Sequence, residues 1–225
     1  ANIEELSKSV NELKSAPFDM VEWRADFFND IEDPQKRFQA MSFLREQLGN
    51  TPILFTARTS VEGGKLDIDT EGHVKLLTSV IDTGLMDLVD VELSRGEDAM
   101  KTIRDAAHKA GMHIIGSLHD FASTPSKERI VYHLCQMQKL GADIVKYAVT
   151  PQCARDVLTL LDATLTMQEE HNETPVITMS MGGQGAVSRV CGSVFGSSIT
   201  FGTAGNSSAP GQLPADLLST FINNL

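Results

Sequence analysis

The strongest constraint on the fold of this chain is a regular alternation of short apolar runs with longer segments of helical periodicity. The apolar runs are rich in β-branched residues, and the segment after each run carries apolar residues at the spacing of one helix face. Strands that alternate with helices of about ten to fifteen residues indicate βαβ units and a parallel sheet. The sequence therefore predicts an α/β fold.

The predicted elements begin with a helix rather than a strand. Helices are predicted over residues 3–15, 38–48, 70–83, 97–110, 125–140, 153–170, 186–195 and 214–225. Strands are predicted over residues 19–26, 52–58, 85–93, 112–119, 141–149, 175–181 and 198–202. Eight strands and eight helices would close a (β/α)8 TIM barrel, so the pattern predicts such a barrel with its first strand missing upstream of residue 1.

An open, doubly wound sheet is the alternative arrangement of the same elements. It ranks second because no glycine fingerprint for dinucleotide phosphates follows an early strand. The length of 225 residues suits one barrel, and no linker or low-complexity segment interrupts the chain, so residues 1–225 are predicted to form a single domain.

Composition narrows the possible partners. The formal net charge of −11 argues against a nucleic-acid surface, which needs clustered positive charge. No apolar run approaches membrane-spanning length, so no membrane role is expected. The three cysteines match no metal or disulfide framework, and a reduced, cytoplasmic compartment is the simplest expectation.

Lys146 is the residue that least fits its surroundings. It interrupts an apolar, β-branched run, residues 141–149, that is otherwise typical of a buried strand. Desolvation disfavours the charged form of an amine, and a neutral amine in an apolar pocket is a nucleophile that forms a Schiff base with a ketone or aldehyde. The alternative is an edge-strand lysine whose ammonium group reaches water.

Other polar residues gather towards the ends of predicted strands, where barrel enzymes place their active sites. They are Glu22, Arg24 and Asp26, then Arg58, then Asp90 and Glu92, and finally His119 and Asp120. The period of two in a strand places Glu22, Arg24 and Asp26 on one face of their strand, and Asp90 and Glu92 on one face of theirs. The alternative is a structural lattice of ion pairs that fills the barrel.

His119 is the predicted general acid/base. It lies at the end of the strand before the Lys146 strand, and adjacent parallel strands are about 4.8 Å apart, so the two side chains can serve one small substrate. A metal site is not expected, because no HxxxH or cysteine-rich spacing accompanies His119.

Two late segments are predicted to hold an anion. The first is a glycine-rich turn that leads from a strand into a helix carrying Arg189, a residue that can clamp a carboxylate. The second is the polar loop 202–212. Glycine-rich loops are weak signals alone, and the alternatives are a flexible connection or a phosphate site.

Together these residues resemble the type I 3-dehydroquinate dehydratase family, the Schiff-base dehydratases of the shikimate pathway. The matching stretches span almost the whole chain in order. They are Glu22-Trp-Arg24-Ala-Asp26, Phe55-Thr-Ala-Arg58, Glu62-Gly-Gly64, His119-Asp-Phe121, Asp143-Ile-Val-Lys146, Thr178-Met-Ser-Met181, Ser188-Arg189, Val194-Phe-Gly196 and Ser208-Ala-Pro-Gly-Gln212. One departure is the turn at residues 182–185, which is more glycine-rich than the family pattern.

The resemblance implies a role for each matching position. Lys146 corresponds to the imine-forming lysine, His119 to the general acid/base, and Glu62 to a loop glutamate associated with that histidine. The substrate-binding positions it implies are Glu22, Arg24, Arg58, Met179, Met181, Arg189, Ser208 and Gln212. In that set, Arg189 binds the substrate carboxylate, the two methionines form apolar walls, and the loop with Ser208 and Gln212 closes over the substrate.

The implied reaction is the dehydration of 3-dehydroquinate to 3-dehydroshikimate by syn elimination, without a metal or organic cofactor. The resemblance also implies a homodimer. Two alternatives stay open: a class I aldolase, which uses the same lysine chemistry to cleave a C–C bond, and a catalytically idle barrel that binds a small carboxylate.

Overall fold

The structure, a computed structural model, describes residues 1–205 and 209–224. The helices in this part of the chain are α1 (Ile3–Leu13), α2 (Pro34–Leu48), α3 (Thr70–Ile81), α4 (Glu97–Lys109), α5 (Lys127–Lys139), α6 (Ala154–Glu170), α7 (Gly182–Cys191) and α8 (Ala215–Ile222). The strands are β1 (Val21–Arg24), β2 (Ile53–Thr56), β3 (Leu88–Glu92), β4 (His113–Asp120), β5 (Ile144–Val149), β6 (Val176–Ser180), β7 (Gly202–Thr203) and β8 (Leu213–Pro214). The predicted α/β alternation is confirmed.

The first three helices begin at residues whose side chains accept hydrogen bonds from the first backbone N–H groups of the helix. Asn2 and Glu5 form a reciprocal capping box at the start of α1, with Glu5 N donating to Asn2 Oδ1 at 2.9 Å and Asn2 N donating to Glu5 Oε2 at 3.0 Å. Asp33 caps α2, whose first residue is Pro34, and Asp69 caps α3 through Gly72 N at 2.7 Å.

The chain divides into two compact units, Ala1–Ile115 and Gly116–Leu225, and the boundary lies within β4. The single-domain organisation of residues 1–225 stays a prediction. Within residues 1–205 and 209–224, no helix is both long enough and apolar enough to cross a membrane.

In the first unit, consecutive parallel strands are neighbours. Glu22 is level with Leu54, and Phe55 is level with Val89, while the first residue of β4 donates to Asp87 O at 3.1 Å. One face of this sheet packs its aromatic residues edge to face, with the Trp23 and Phe55 ring centroids 5.4 Å apart. The opposite face carries the polar residues of β1, β2 and β3, as the period of two predicts.

In the second unit, β5 lies between β4 and β6 and pairs with β6 in parallel, with Lys146 level with Ile177. Neighbours that are consecutive in the chain are typical of a barrel sheet, whereas a doubly wound sheet reverses its strand order. Because β5 is a central strand and Lys146 is only 5% exposed, the edge-strand interpretation of Lys146 is wrong.

Two late elements differ from their predictions. α7 begins at Gly182, four residues before the predicted start, and Gly192–Phe195 is a 3₁₀ helix. Glycine is a poor helix former, but an added Cβ at Gly185 would lie 2.2 Å from Ser180 O, so close packing on β6 requires the glycine there.

The strand predicted over 198–202 is largely absent from the described structure. Ser197 forms an isolated bridge with Val176, and Ser198 N donates to Val176 O at 2.8 Å, so this segment does run beside β6. The ladder stops because Thr178 N donates to the hydroxyl of Ser197 at 3.1 Å, where a continuing strand would offer a backbone carbonyl.

Candidate active site

Arg58 is the centre of a buried charged cluster in the first unit. Its Nη2 atom lies 2.8 Å from Asp90 Oδ2, and its Nη1 atom lies 3.0 Å from Glu92 Oε1 and 3.6 Å from Glu62 Oε2. Burial alone would lower the pKa of the guanidinium, but the three carboxylates outweigh that effect and raise it. Arg58 is therefore a permanent cation shared by three acids.

Glu92 binds residues of two loops in this unit, Thr59 after β2 and Arg95 after β3. Its carboxylate accepts hydrogen bonds from Thr59 N at 2.9 Å and from Thr59 Oγ1 at 2.5 Å, and Arg95 Nε lies 3.5 Å from Glu92 Oε2. With Arg58, these donors satisfy both oxygens of a buried acid. The predicted alternative of a structural ion-pair lattice is correct for this part of the cluster.

Glu62 is the acid whose charge is least well compensated. It lies in the 3₁₀ turn Ser60–Glu62, is 2% exposed, and accepts a hydrogen bond from Ser94 Oγ at 2.5 Å. Burial raises the pKa of Glu62 to about 8; Arg58 and the Ser94 hydroxyl oppose this rise, while Glu92 and Asp90 add to it. Burial thus favours the protonated form of Glu62 at neutral pH.

The two substrate-binding candidates on β1 contact different groups. Thr56 Oγ1 donates to Glu22 Oε1 at 2.8 Å. Arg24 makes a bidentate contact with Asp26, with Nε and Nη2 each 2.8 Å from a carboxylate oxygen, and its guanidinium lies 4.9 Å from the Phe27 ring centroid. A guanidinium held by two parallel hydrogen bonds is fixed in position, as substrate recognition requires.

Lys146 occupies the second unit. Its Nζ atom lies 4.7 Å from the centroid of the Phe201 ring, and the period of two places Ala148 and Met179 on the same strand face. Tyr147 lies on the opposite, helix-covered face, where its ring meets the His133 ring of α5 edge to face, with the ring centroids 5.9 Å apart. The lysine therefore points away from the helix-covered face of β5.

His119 lies on the corresponding face of β4. An added Cβ at Gly116 would meet Ala142 Cβ at 3.0 Å and Met137 Cβ at 3.3 Å, so Gly116 faces the helix side. His119 is three residues further along the strand and faces the other way. The half-buried His119 ring stacks on the Phe121 ring, with the ring centroids 6.5 Å apart. The predicted acid/base and the predicted nucleophile thus share one face of adjacent strands.

Arg189 is a buried cation without a carboxylate partner among residues 1–205 and 209–224. It is 3% exposed; Nη1 lies 3.5 Å from Met179 Sδ, Nη2 donates to Pro210 O at 3.3 Å, and Nε has no hydrogen-bond partner within the same ranges. Burial lowers the pKa of this guanidinium. A buried cation in such surroundings has the chemistry to bind an anion, and the role predicted for Arg189 stays a prediction.

Residues 210 and 211, just before β8, pack on the first turn of α7. Gly182 N donates to Pro210 O at 3.2 Å, and an added Cβ at Gly211, whose φ is 75°, would lie 2.4 Å from Gly182 O. Gln212 Oε1 accepts from Ala209 N at 3.3 Å, which folds the loop back on itself. Ser208, also predicted to bind substrate, lies outside the described residues.

The α7 helix is anchored by the residue before Arg189. Ser188 Oγ donates to Gly185 O at 2.7 Å and accepts from Ser180 N at 2.9 Å, which fixes the helix on β6. Met181 is the N-cap residue of α7 and is buried, with its backbone N donating to Val149 O at 2.8 Å. Among the described residues, no three His, Cys, Asp or Glu side chains form a group that could hold a metal ion.

Sequence reasoning missed three contacts with the candidate residues. Ser94 binds Glu62, Thr59 binds Glu92, and Phe201 covers Lys146. Ser94 and Thr59 follow strand ends, so the rule that located Arg58 could have located them as well. Phe201 carried no chemical signal in the sequence.

The family model described as type I 3-dehydroquinase matches residues 1–225. The chain belongs to the type I 3-dehydroquinase family. It is therefore an enzyme, a hydro-lyase of the shikimate pathway, as the family resemblance predicted.

Individual relatives of this family match nearly the whole chain. The 3-dehydroquinate dehydratase of Syntrophotalea carbinolica is 47% identical over 98% of this chain and 88% of its own length. The crystal structure of the type I enzyme from Clostridium difficile, which contains covalently modified comenic acid, has a TM-score of 0.95 at 44% identity over 99% of this chain and 87% of that chain. The Geobacillus kaustophilus enzyme has the same TM-score at 38% identity, over 100% of this chain and 87% of that one. The TIM-barrel-like fold predicted from the sequence is thereby confirmed.

Proposed function

We propose that the chain converts 3-dehydroquinate to 3-dehydroshikimate and water through an imine between the substrate ketone and Lys146 Nζ. The observation that carries the proposal is the position of Lys146, a buried amine on a central strand that faces the same way as His119 on the next strand. Family membership and the names of the relatives support the substrate, and the covalently modified ligand in the Clostridium difficile relative agrees with covalent chemistry in the family.

In the proposed reaction, Lys146 Nζ attacks the C3 carbonyl carbon, and loss of water gives an iminium. The iminium acidifies the C2–H bond, because the electron pair left by the proton is stored as an enamine. His119 removes the C2 proton and returns one to the C1 hydroxyl, which leaves as water from the same face. Hydrolysis of the product iminium frees 3-dehydroshikimate and restores the lysine.

The other candidate residues have positioning roles in this proposal. Arg189 binds the substrate carboxylate, so that the scissile C–H bond faces His119. Met179 and Met181 form an apolar wall, and Glu22, Arg24 and Arg58 hydrogen-bond the substrate hydroxyls. Glu62 supports His119, and the loop with Ser208 and Gln212 excludes water from the imine.

Reductive trapping tests the proposal directly. The protein is incubated with 3-dehydroquinate, treated with borohydride, digested and mapped by mass spectrometry, since reduction converts an imine to a stable secondary amine. We expect one adduct, on the peptide that contains Lys146. Lys146→Ala should abolish both adduct and turnover, whereas Lys139→Ala, a change at an exposed lysine of α5, should alter neither.

The His119 variant separates the chemical steps. His119→Ala should still give the adduct but should lose elimination, because imine formation does not need the proposed base at C2. Turnover in that variant at the wild-type rate would remove His119 from the mechanism. Turnover that cleaves a C–C bond would favour an aldolase, and carboxylate binding without an adduct would favour a binding protein.

Two further features come from the family resemblance alone. We propose a homodimer, which light scattering on the purified chain tests, and a cytoplasmic location, which cell fractionation tests. A single mass near 24.5 kDa in solution would contradict the dimer.

A further inference from the structure

One contact of the first unit joins a surface hydroxyl to a buried acid. Ser94 is exposed and lies in the 3₁₀ turn Leu93–Arg95, directly after β3. Its Oγ atom lies 2.5 Å from Oε1 of Glu62, which is 2% exposed. Ser94 was not among the predicted site residues, and the proposed mechanism does not use it.

We propose that Ser94 is a positioning residue for the dehydratase reaction, whose hydroxyl holds Oε1 of Glu62 and so fixes the direction of that carboxyl group. The inference rests on the proposed function, in which Glu62 supports the acid/base histidine. A hydroxyl suits this task because it donates to a carboxylate and accepts from a protonated carboxyl. The contact therefore survives when Glu62 gains or loses its proton.

The surroundings of the two Glu62 oxygens differ. Oε2 lies 3.6 Å from Arg58 Nη1, beyond hydrogen-bond distance, because the same guanidinium makes closer contacts with Asp90 at 2.8 Å and with Glu92 at 3.0 Å. Arg58 thus attracts Glu62 without fixing it. The hydrogen bond from Ser94 is the shorter of these two contacts and the more directional one.

Ser94 itself is held in place by the cluster. Glu92, the residue before the 3₁₀ turn Leu93–Arg95, accepts two hydrogen bonds from Thr59, the residue before the turn that contains Glu62. The two turns are therefore joined at their bases. Gly96, with a φ of 95°, ends the Ser94 turn in a conformation that favours glycine.

The groups of the first unit that face Glu62 determine in which direction its pKa should move when the Ser94 hydroxyl is removed. Burial raises the pKa of Glu62, Arg58 lowers it, Glu92 and Asp90 raise it, and the hydrogen bond from Ser94 lowers it. Removal of the Ser94 hydroxyl should therefore raise the pKa of Glu62. A residue that only stabilised the fold would lower activity at every pH without moving this titration.

The experiment compares Ser94→Ala with Ser94→Thr, which keeps the hydroxyl. The control is Ser60→Ala, a change at an exposed serine in the same turn as Glu62. kcat and KM are measured against pH, and Glu62→Gln identifies the limb of the profile that Glu62 governs. For Ser94→Ala we expect kcat at pH 7 to fall about five- to tenfold, KM to stay within about twofold, and the midpoint of that limb to rise by about half a pH unit or more. Ser94→Thr should restore the wild-type profile.

A second readout is independent of turnover. The Glu62 carboxyl is titrated by carbon-13 NMR in the wild type and in Ser94→Ala, with Glu62→Gln used for assignment. An upward shift in Ser94→Ala supports the proposal, and an unchanged midpoint overturns it even if the chain has no activity. Failure of the proposed function is recognised separately, by the absence of a borohydride-trapped adduct on Lys146 in the wild type.

Discussion

Replacement of Glu62 by glutamine should make the stability of the first unit less sensitive to a rise in pH from 5 to 8. The native acid keeps its proton up to a pKa of about 8, whereas the unfolded chain releases it near the ordinary value of 4.5. Between these two values the native state binds the extra proton, so the free energy of unfolding falls as pH rises. Glu62→Gln is neutral in both states and does not show this loss.

The magnitude follows from the distance between the two pKa values. A difference of about 3.5 units, at about 1.4 kcal/mol per unit, gives at most about 5 kcal/mol of stability lost between pH 4.5 and pH 8. Relaxation of the cluster and water entry reduce the penalty of a buried charge, so we expect a measured difference of about 2 to 5 kcal/mol. At pH 5 the two proteins should have nearly equal stability, because a protonated glutamate and a glutamine are close in shape and both are neutral.

Urea unfolding from pH 5 to pH 8 measures this difference. The chain has one tryptophan, Trp23, which is buried on β1 in the same unit as Glu62, so its fluorescence reports on the relevant structure. The matched control is Glu32→Gln, at an exposed glutamate outside the helices and strands. Parallel pH curves for the wild type and Glu62→Gln would refute a protonated Glu62 in the native state.

Three other perturbations test separate parts of the structure. Burial lowers the pKa of His73, so the unfolded chain binds a proton before the native state does as pH falls below about 6.5. The wild type should therefore lose stability relative to His73→Leu when urea unfolding is measured at pH 5 instead of pH 7.5. An equal change of unfolding free energy with pH in the two proteins would contradict this. Gly185→Ala should cost about 1 to 3 kcal/mol in thermal or urea unfolding, since its Cβ would lie 2.2 Å from Ser180 O, whereas Gly183→Ala, at a position with open space, should cost less. Arg189→Met should stabilise the ligand-free protein by about 1 to 3 kcal/mol and raise KM at least tenfold, because it removes both a buried charge and the proposed contact with the substrate carboxylate. A variant that is less stable and binds equally well would show that Arg189 has a structural role.

The sequence predicted the class of the fold because strand and helix periodicities are local properties. Lys146 and Arg58 were identified for the same reason, as charges that interrupt or end apolar strands. The surroundings of Lys146 were not predictable, because Phe201, which contacts it, lies 55 positions later in the chain (201 − 146 = 55). Such contacts depend on packing that no short sequence window contains.

The errors occurred where tertiary packing overrides local propensity. The glycines of the 182–185 turn predicted a loop, yet they form the first turn of α7 because Gly185 approaches the backbone of Ser180 closely. The segment after Gly196 was predicted as a strand, but the Ser197 hydroxyl replaces a ladder partner of β6. In both cases the deciding contact joins residues from two different elements.

The close approach of Gly211 to Gly182 has a consequence for anyone who redesigns this enzyme. The backbone of the loop leaves no room for a side chain at Gly211, and Pro210 O accepts hydrogen bonds from both Gly182 N and Arg189 Nη2. A grafted loop with another backbone path would therefore displace the first turn of α7 and the arginine together. The loop and α7 should be exchanged as one cassette, because a loop chosen for its own substrate contacts would alter the proposed anion site as well.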